Sequence, residues 1–333
     1  MKKKYDVDKY NKYSIIQVAS ELGIIVRKNK CRCFLHHEKT PSLSFDLRRN
    51  IWKCFGCNEG GNVIKLVEKK LNCTFVEACE WLENKTFTEV KKEDIKFDSL
   101  LNKKIYSYIL SDCGNLQIPF DYLVKMRKIE KNVVSNMNIR GINNIDEFYN
   151  KLFSKFMIGE IEQSGLITFD LFESNKTFKD QGIIIPFYNY SGELQTIQYR
   201  YINQINKDYR YVFPKNAKLC MFNEKILKQQ ISEVWLCEGA IDAMSLMTYG
   251  LNSVALPGVN NFNDEWLDYF VGKKVYIIFD NDDAGIKQSS ILYEKFKNKN
   301  IWVEVRNLEK EYNDINEKLM TERSGRNGSK NKF

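Results

Sequence analysis

The chain lacks any apolar run of the ~18 residues that a membrane-crossing helix needs, so nothing in it is expected to span a bilayer. Its first residues, Met1-Lys2-Lys3-Lys4-Tyr5-Asp6, are charged and no apolar stretch follows them, which is not the pattern of a secretory signal. There is no G-x-x-x-x-G-K-[ST] sequence, so a P-loop nucleotide motor is not expected. Histidine is scarce: His36 and His37 are the only two. Cysteines number nine, odd and irregularly placed. Without a secretory signal they read as reduced thiols, some of them metal ligands, and not as a disulfide framework. These absences point to a cytoplasmic protein with no membrane partner.

What is present suffices for two or three domains with real cores: 333 residues, 43% of them hydrophobic. The net charge of +8 is spread over a chain that also holds many acids, and it is compatible with a nucleic-acid partner.

The pattern that organises the rest lies in the last third. Val234-Trp235-Leu236-Cys237 runs into Glu238-Gly239-Ala240-Ile241-Asp242. Val275-Tyr276-Ile277-Ile278-Phe279 runs into Asp280-Asn281-Asp282-Asp283-Ala284-Gly285. Each reads as a buried strand that stops at carboxylates and turns into a helix. Further strands are expected at 254–256 and 301–305, with helices at 240–249, 264–271 and 284–297; this alternation predicts a parallel sheet covered by helices. In such sheets the carboxyl ends of the strands line the ligand crevice, which would bring Glu238, Asp280 and Asp282 together. Clustered carboxylates repel unless cations neutralise them, and hard oxygen ligands suit Mg²⁺ or Mn²⁺. An acid in this place also serves as a helix N-cap. Asp283 is expected to cap the helix while Asp280 and Asp282 face the metals. The two motifs, E-G-x-x-D and D-x-D-x-A-G, resemble those of the Toprim domain shared by DnaG-type primases, topoisomerases and some nucleases.

Near the amino terminus, Cys31-Arg32-Cys33-Phe34-Leu35-His36-His37-Glu38-Lys39-Thr40-Pro41-Ser42 precedes a strand-like segment and then Trp52-Lys53-Cys54-Phe55-Gly56-Cys57-Asn58-Glu59-Gly60-Gly61. Cys33 and His36, like Cys54 and Cys57, are separated by two residues. Two turns that each present a pair of soft ligands build a closed tetrahedral Zn²⁺ site, structural and not catalytic. His37 competes with His36, and Cys31 with Cys33, for the same role. Arg48, Arg49, Trp52 and Lys53 have the chemistry for single-stranded template, cation for phosphate and ring for base, although Trp52 suits a core equally.

This knuckle resembles the CHC2-type zinc domain of DnaG-type primases, matching at Cys33, His36, Glu38 to Ser42, Cys54 to Cys57, Gly60 and Gly61. It departs from their pattern at Phe34, Leu35 and Asn58. The middle of the chain adds two looser likenesses. Tyr122-Leu123, Arg127 and Ile129 resemble a helical Y-L-x-x-R-G-I pattern without its Gly. Two strands, 182–188 and 194–201, lead to Arg200 and to Arg210-Tyr211, followed by Lys215 and Lys218. The resemblance implies that these five bind nucleoside triphosphate or template; a solvated basic face is the plainer reading. It also implies that Asp314, in Glu311-Tyr312-Asn313-Asp314, adds an acid to the metal site, where a capping role is the alternative, and that Asp242 orients the site.

The expected fold is therefore α+β and α/β. A small zinc-ribbon-like β domain occupies residues 1–85 and a linker 86–104. The amino-terminal part of an RNA polymerase core follows at 105–225, then a Toprim domain at 226–320 with a parallel sheet covered by helices, and a disordered basic tail at 321–333. The implied reaction is synthesis of short RNA primers on single-stranded DNA by metal-dependent nucleotidyl transfer. Structural Zn²⁺ and catalytic Mg²⁺ or Mn²⁺ are its cofactors, with Glu238 a metal ligand or an acid–base group. Nucleoside triphosphates and a separate replicative helicase are expected partners, and the chain's end ahead of the usual further helices favours a short, element-borne form. A non-catalytic single-strand-binding protein on a primase scaffold and a Toprim nuclease are the alternatives. A topoisomerase would need a nucleophilic Tyr on a further domain.

Overall fold

The computed structural model describes residues 5–47, 49–89, 99–170, 173–203, 210–215, 217–258 and 260–325. The expectations for Arg48, for linker residues 90–98 and for tail residues 326–333 lie outside the described residues. In chain order the strands are β1 Lys30–Cys31, β2 Leu43–Asp46, β3 Ile51–Cys54, β4 Gly60–Gly61, β5 Arg140–Ile142, β6 Ile167–Asp170, β7 Glu173–Lys176, β8 Gly182–Tyr188, β9 Leu194–Tyr201, β10 Tyr211–Val212, β11 Glu233–Cys237, β12 Ser253–Ala255, β13 Lys274–Ile277 and β14 Val303–Val305. They are shared between two compact units, one of Met1–Ile105 with Asn144–Lys179 and the other of Tyr106–Asn143 with Asp180–Phe333. No described helix is long and apolar enough to cross a membrane.

The first unit holds the antiparallel sheet β1-β2-β3-β4. Leu43 pairs with Cys54 and Phe45 with Trp52, so the hairpin presents its apolar residues to one core while its ends deliver cysteines. Asn50 turns this hairpin with a left-handed φ of 60°. Its side chain accepts from Ile15 N and donates to the carbonyls of Asn11 and Tyr13, tying the amino-terminal segment down. Two helices cover the sheet. Val63–Leu71 is capped by Asn62, and Phe75–Glu83 opens with a capping box between Thr74 and Glu77. Their Leu66, Val67, Ala78 and Leu82 join Leu43, Phe45 and Trp52 in one buried cluster. Each such large side chain contributes roughly 1.5–3 kcal/mol by leaving water.

Burial corrects the template assignments on this unit. Trp52 and Lys53 are 1% and 2% exposed, so neither offers a face to a base or a phosphate. Arg49 is ion-paired with Glu162, in the helix Ile158–Gln163 of the same unit.

The second unit holds two sheets. β10-β9-β8-β5 is antiparallel, with β8 and β9 forming the expected hairpin. β5 lies within a stretch read from sequence as mainly helical; at three residues it is too short to leave a periodicity. The other sheet, β12-β11-β13-β14, is parallel throughout. Val234, Leu236, Val275 and Ile277 are fully buried, as strands covered on both faces require. β12 lies on one side of β11 and β13 on the other, so the strand order switches at β11. A crevice opens at such a switch beyond the carboxyl ends of the strands, and there the chain places Glu238 and Asp280.

Candidate metal centres

The zinc knuckle follows from the β2–β3 hairpin. Cys54 ends β3, Cys57 follows one turn later, and the turn after β1 brings Cys33 and His36. One ligand atom from each of the four lies within 4.8 Å of the others. Zn–S bonds of about 2.3 Å place two thiolates of a tetrahedron roughly 3.8 Å apart; the Sγ atoms of Cys33 and Cys57 stand at 3.9 Å. His36 turns Nδ1 toward Cys54 Sγ at 3.8 Å and Nε2 toward Glu38 Oε2 at 3.2 Å. A carboxylate on the far nitrogen fixes a ligating imidazole's tautomer and ring angle. Glu38 is itself held by the N–H groups of Cys33 and Ser42. The donor set fits Zn²⁺. Burial, reinforced by the neighbouring cysteine, pushes the Cys33 thiol up to about 12, so a cation is needed to draw these thiolates together.

The choices left open in the sequence close on Cys33 and His36. Cys31 is buried in the apolar cluster, and neither it nor His37 joins the four. The part played by Glu38 was not foreseen. Its only signal was its place in the matched knuckle motif, five residues after Cys33.

At the switch point of the parallel sheet a cleft of about 330 Å³ is lined by the acids Glu238, Asp242, Asp280 and Asp314 together with Arg127, Arg200, Arg210 and Tyr211. Glu238 leaves β11, and its Oε1 accepts from Asp280 N at 3.1 Å, fastening two adjacent strand ends together. Asp242 stands in the first turn of the helix Ala240–Thr248. Asp314 caps the helix Ile315–Ser324 through Glu317 N. Asp282, not Asp283, caps the helix Asp283–Asn298, with Oδ1 accepting from Gly285 N at 2.8 Å. The expectation for Asp283 is thus corrected, because the Asp282 side chain is the one in register with the third N–H of the helix.

The electrostatics are those of crowded acids. Burial first, then the charges of Asp242, Glu238, Asp314 and Asp282, push Asp280 up to about 8. Burial and then Asp314 push Asp242 up to about 7. Burial also raises Glu238, against the bond from Asp280 N. Among the described residues the Cys/His set is the one group of three or more ligand atoms that lies within 4.8 Å of one another. A hard cation such as Mg²⁺ takes only one or two carboxylates and keeps water or phosphate oxygens for its other positions.

Two predictions arise here. A carboxylate whose folded value is raised loses stability as pH climbs from its unfolded value, ~3.9, towards its folded one. Asp280→Asn is therefore expected to raise the melting temperature of metal-free protein by a few degrees at pH 8 and by about a third as much at pH 5. Equal shifts at both pH values would count against the crowding. Gly285 explains the last letter of D-x-D-x-A-G. A Cβ there would lie 2.4 Å from Asp280 O and 2.5 Å from Glu238 Oε1. Gly285→Ala should cost ~1–3 kcal/mol in denaturant unfolding and force the two acids apart; unchanged stability would show that the helix start has room.

The cations that line the same cleft are pre-arranged. Tyr122 Oη accepts from Arg200 Nε at 2.7 Å and from Arg127 Nε and Nη2 at 3.2 and 3.0 Å. Arg127 Nη1 donates to Asn316 Oδ1 at 3.1 Å, and the Arg200 guanidinium lies 4.5 Å from the Tyr211 ring centre. Of the basic residues singled out in the sequence, Arg200, Arg210 and Tyr211 line the cleft. Lys215 and Lys218 are exposed and do not line it. Asn316 gave no sequence signal, and Arg127 and Tyr122 gave only the incomplete helical pattern.

Comparison with known proteins agrees with this geometry. The CHC2 zinc finger family matches residues 7–98, and the Toprim-like family matches residues 235–319. The DNA primase of Mycoplasma genitalium is 26% identical over 321 residues, covering 86% of this chain and 52% of that protein. That of Clostridium acetobutylicum is 28% identical over 271 residues, covering 76% and 45%. The chain thus spans about half the length of these relatives. The crystal structure of the zinc-binding and RNA polymerase domains of Aquifex aeolicus primase superposes with a TM-score of 0.53 at 21% identity, over 96% of this chain and 85% of that one. A DnaG primase catalytic domain bound to single-stranded DNA gives 0.55 at 14% identity, over 65% and 73%. The likeness to solved structures carries the fold, and the two matched families carry the zinc finger and the acid-edged sheet, so that this chain contains a CHC2 zinc finger and a Toprim-like region and is similar to DnaG-type primases across most of its length.

Proposed function

We propose that the chain synthesises short RNA primers on single-stranded DNA by metal-dependent nucleotidyl transfer. One observation carries this reading: a single cleft is lined by Glu238, Asp280 and Asp314 and also by Arg127, Arg200 and Arg210. Acids for divalent cations in the same cleft as cations for phosphates are what transfer of a nucleotide requires.

In this reading Glu238, Asp280, Asp282 and Asp314 hold Mg²⁺ or Mn²⁺. A bound divalent cation lowers the pKa of the primer 3′-hydroxyl and spreads the charge that grows on the phosphate during in-line displacement. The chain's own residues do the rest. The Asp280 N–H fixes one Glu238 oxygen and so aims the other. Asp242, beside Arg200 and bonded by the Asn316 N–H, orients the rim. Arg200 and Arg127, braced on one phenol oxygen, present fixed forks to the triphosphate, which a lysine could not do. Arg210, exposed, and Tyr211, half-buried against Arg200, would meet the base or template backbone. Lys215 and Lys218 would meet template only beyond the cleft.

The functional division is the one expected from sequence, zinc-binding 1–85, linker 86–104, polymerase core 105–225, Toprim 226–320 and tail 321–333, although Asn144–Lys179 belong to the first compact unit and the helix Ile315–Ser324 runs past residue 320. The zinc knuckle stiffens the module that approaches template, and a separate replicative helicase supplies the single strand. The test offers the zinc-loaded chain single-stranded DNA, four ribonucleoside triphosphates and Mg²⁺ or Mn²⁺. Short RNA products are expected. Shortened DNA without RNA would identify a Toprim nuclease, and retention of the DNA with neither product a non-catalytic scaffold.

A further inference from the structure

Asn281 sits between Asp280 and Asp282, yet its bonds lead away from both. Its Nδ2 donates to the carbonyls of Tyr312 at 2.7 Å, Glu309 at 3.2 Å and Leu308 at 3.5 Å. Its backbone N–H donates to Asn313 O at 2.8 Å. One residue thus clasps the segment that joins β14 to the helix Ile315–Ser324, a segment without strand or helix of its own that ends on Asp314.

The clasp has something to oppose. Asp314 acts electrostatically on both Asp242 and Asp280, so like charges press this segment away from the β13 end. Glu309 is paired with Lys318, Glu317 accepts from Asn313 N, and Asp314 accepts from Glu317 N, which shape the segment on its own helix. Arg306, at the start of the segment, reaches β13: its backbone N–H donates to Ile277 O at 2.8 Å, and its guanidinium lies 5.4 Å from the Tyr276 ring centre. Asn281 holds the part nearest Asp314, from Leu308 to Asn313, with neutral donors that add no charge to the cleft.

We propose that Asn281 is a positioning residue for the divalent-cation site, locking the Asp314-bearing segment to the end of β13 so that Asp314 and Asp280 meet one cation. The proposal rests on the acidic-cleft reading above. It concerns cation affinity before any nucleotide is present.

Mn²⁺ binding to the zinc-loaded full chain, followed by electron paramagnetic resonance and calorimetry, tests it. Asn281→Ala is expected to weaken Mn²⁺ binding roughly tenfold, the scale of an outer partner of a metal ligand. Asp314→Ala should do the same, and the double variant should bind no more weakly than Asp314→Ala alone, because the clasp works only through Asp314. Asn281→Ser, which keeps one donor, should fall between wild type and Asn281→Ala and serves as the readout should Asn281→Ala fold poorly. Wild-type affinity in both Asn281 variants beside a weakened Asp314→Ala, or losses that multiply in the double variant, would overturn the positioning role and leave the acidic cleft standing. Wild-type affinity in both Asp314→Ala and Asp280→Ala would remove the cation site itself.

Discussion

Asp280→Ala is expected to lower RNA primer yield on the order of 10³-fold, the scale seen when a group that stabilises transition-state charge is removed. The size follows from its position. Asp280 is partly buried, its own N–H holds Glu238, and the charges of four other carboxylates converge on it. Losing its carboxylate removes a cation ligand at the centre of the rim. Asp282→Ala should cost less in chemistry and more in stability, since one of its oxygens already caps a helix. Labelled primers resolved on a denaturing gel measure the effect, with zinc content and thermal melting as controls for folding. Primer synthesis by Asp280→Ala at anything near the wild-type rate would remove the proposed mechanism, because no other acid has the same contacts.

Stripping zinc, or replacing Cys54 by Ser, should unfold the β1–β4 sheet. Structural zinc sites contribute apparent binding energies of ~10–16 kcal/mol, comparable to the whole stability of a small domain. Cys54 is fully buried and pairs with Leu43 in the hairpin that carries the apolar cluster, so the knuckle and the core share residues. Without the cation, three thiols and an imidazole would be crowded together with nothing to bind them. Limited proteolysis should then cut within residues 30–61, and templated synthesis should fall with it. Mn²⁺ binding at the acidic cleft should persist, because that site is built within the other unit. Protease resistance that survives complete zinc removal would contradict a structural role for the ion.

Much of this was legible in the sequence because its signals are local. Paired ligands two residues apart marked the knuckle, and apolar runs ending in acids marked the switch point of the sheet. What escaped depends on contacts between distant positions. Tyr122 meets Arg200 across 78 residues, and Arg127 meets Asn316 across 189; no short window contains either pair. Charge alone also misled. Arg49 and Lys53 looked like template contacts, but a basic residue on a short hairpin carries no mark of which side will be covered. The choice between Asp282 and Asp283 as cap turned on one residue of register, finer than an apolar pattern resolves.

The bond pattern around Tyr122 has a mechanical consequence. Two guanidinium groups that lean on one phenol oxygen cannot swing separately. A phosphate that draws Arg200 inward must carry the ring with it, and the ring carries Arg127, whose other arm grips Asn316 beside the acid rim. Cargo arriving at Arg200 is thereby felt at Asn316, two residues from Asp314, through a linkage of four side chains.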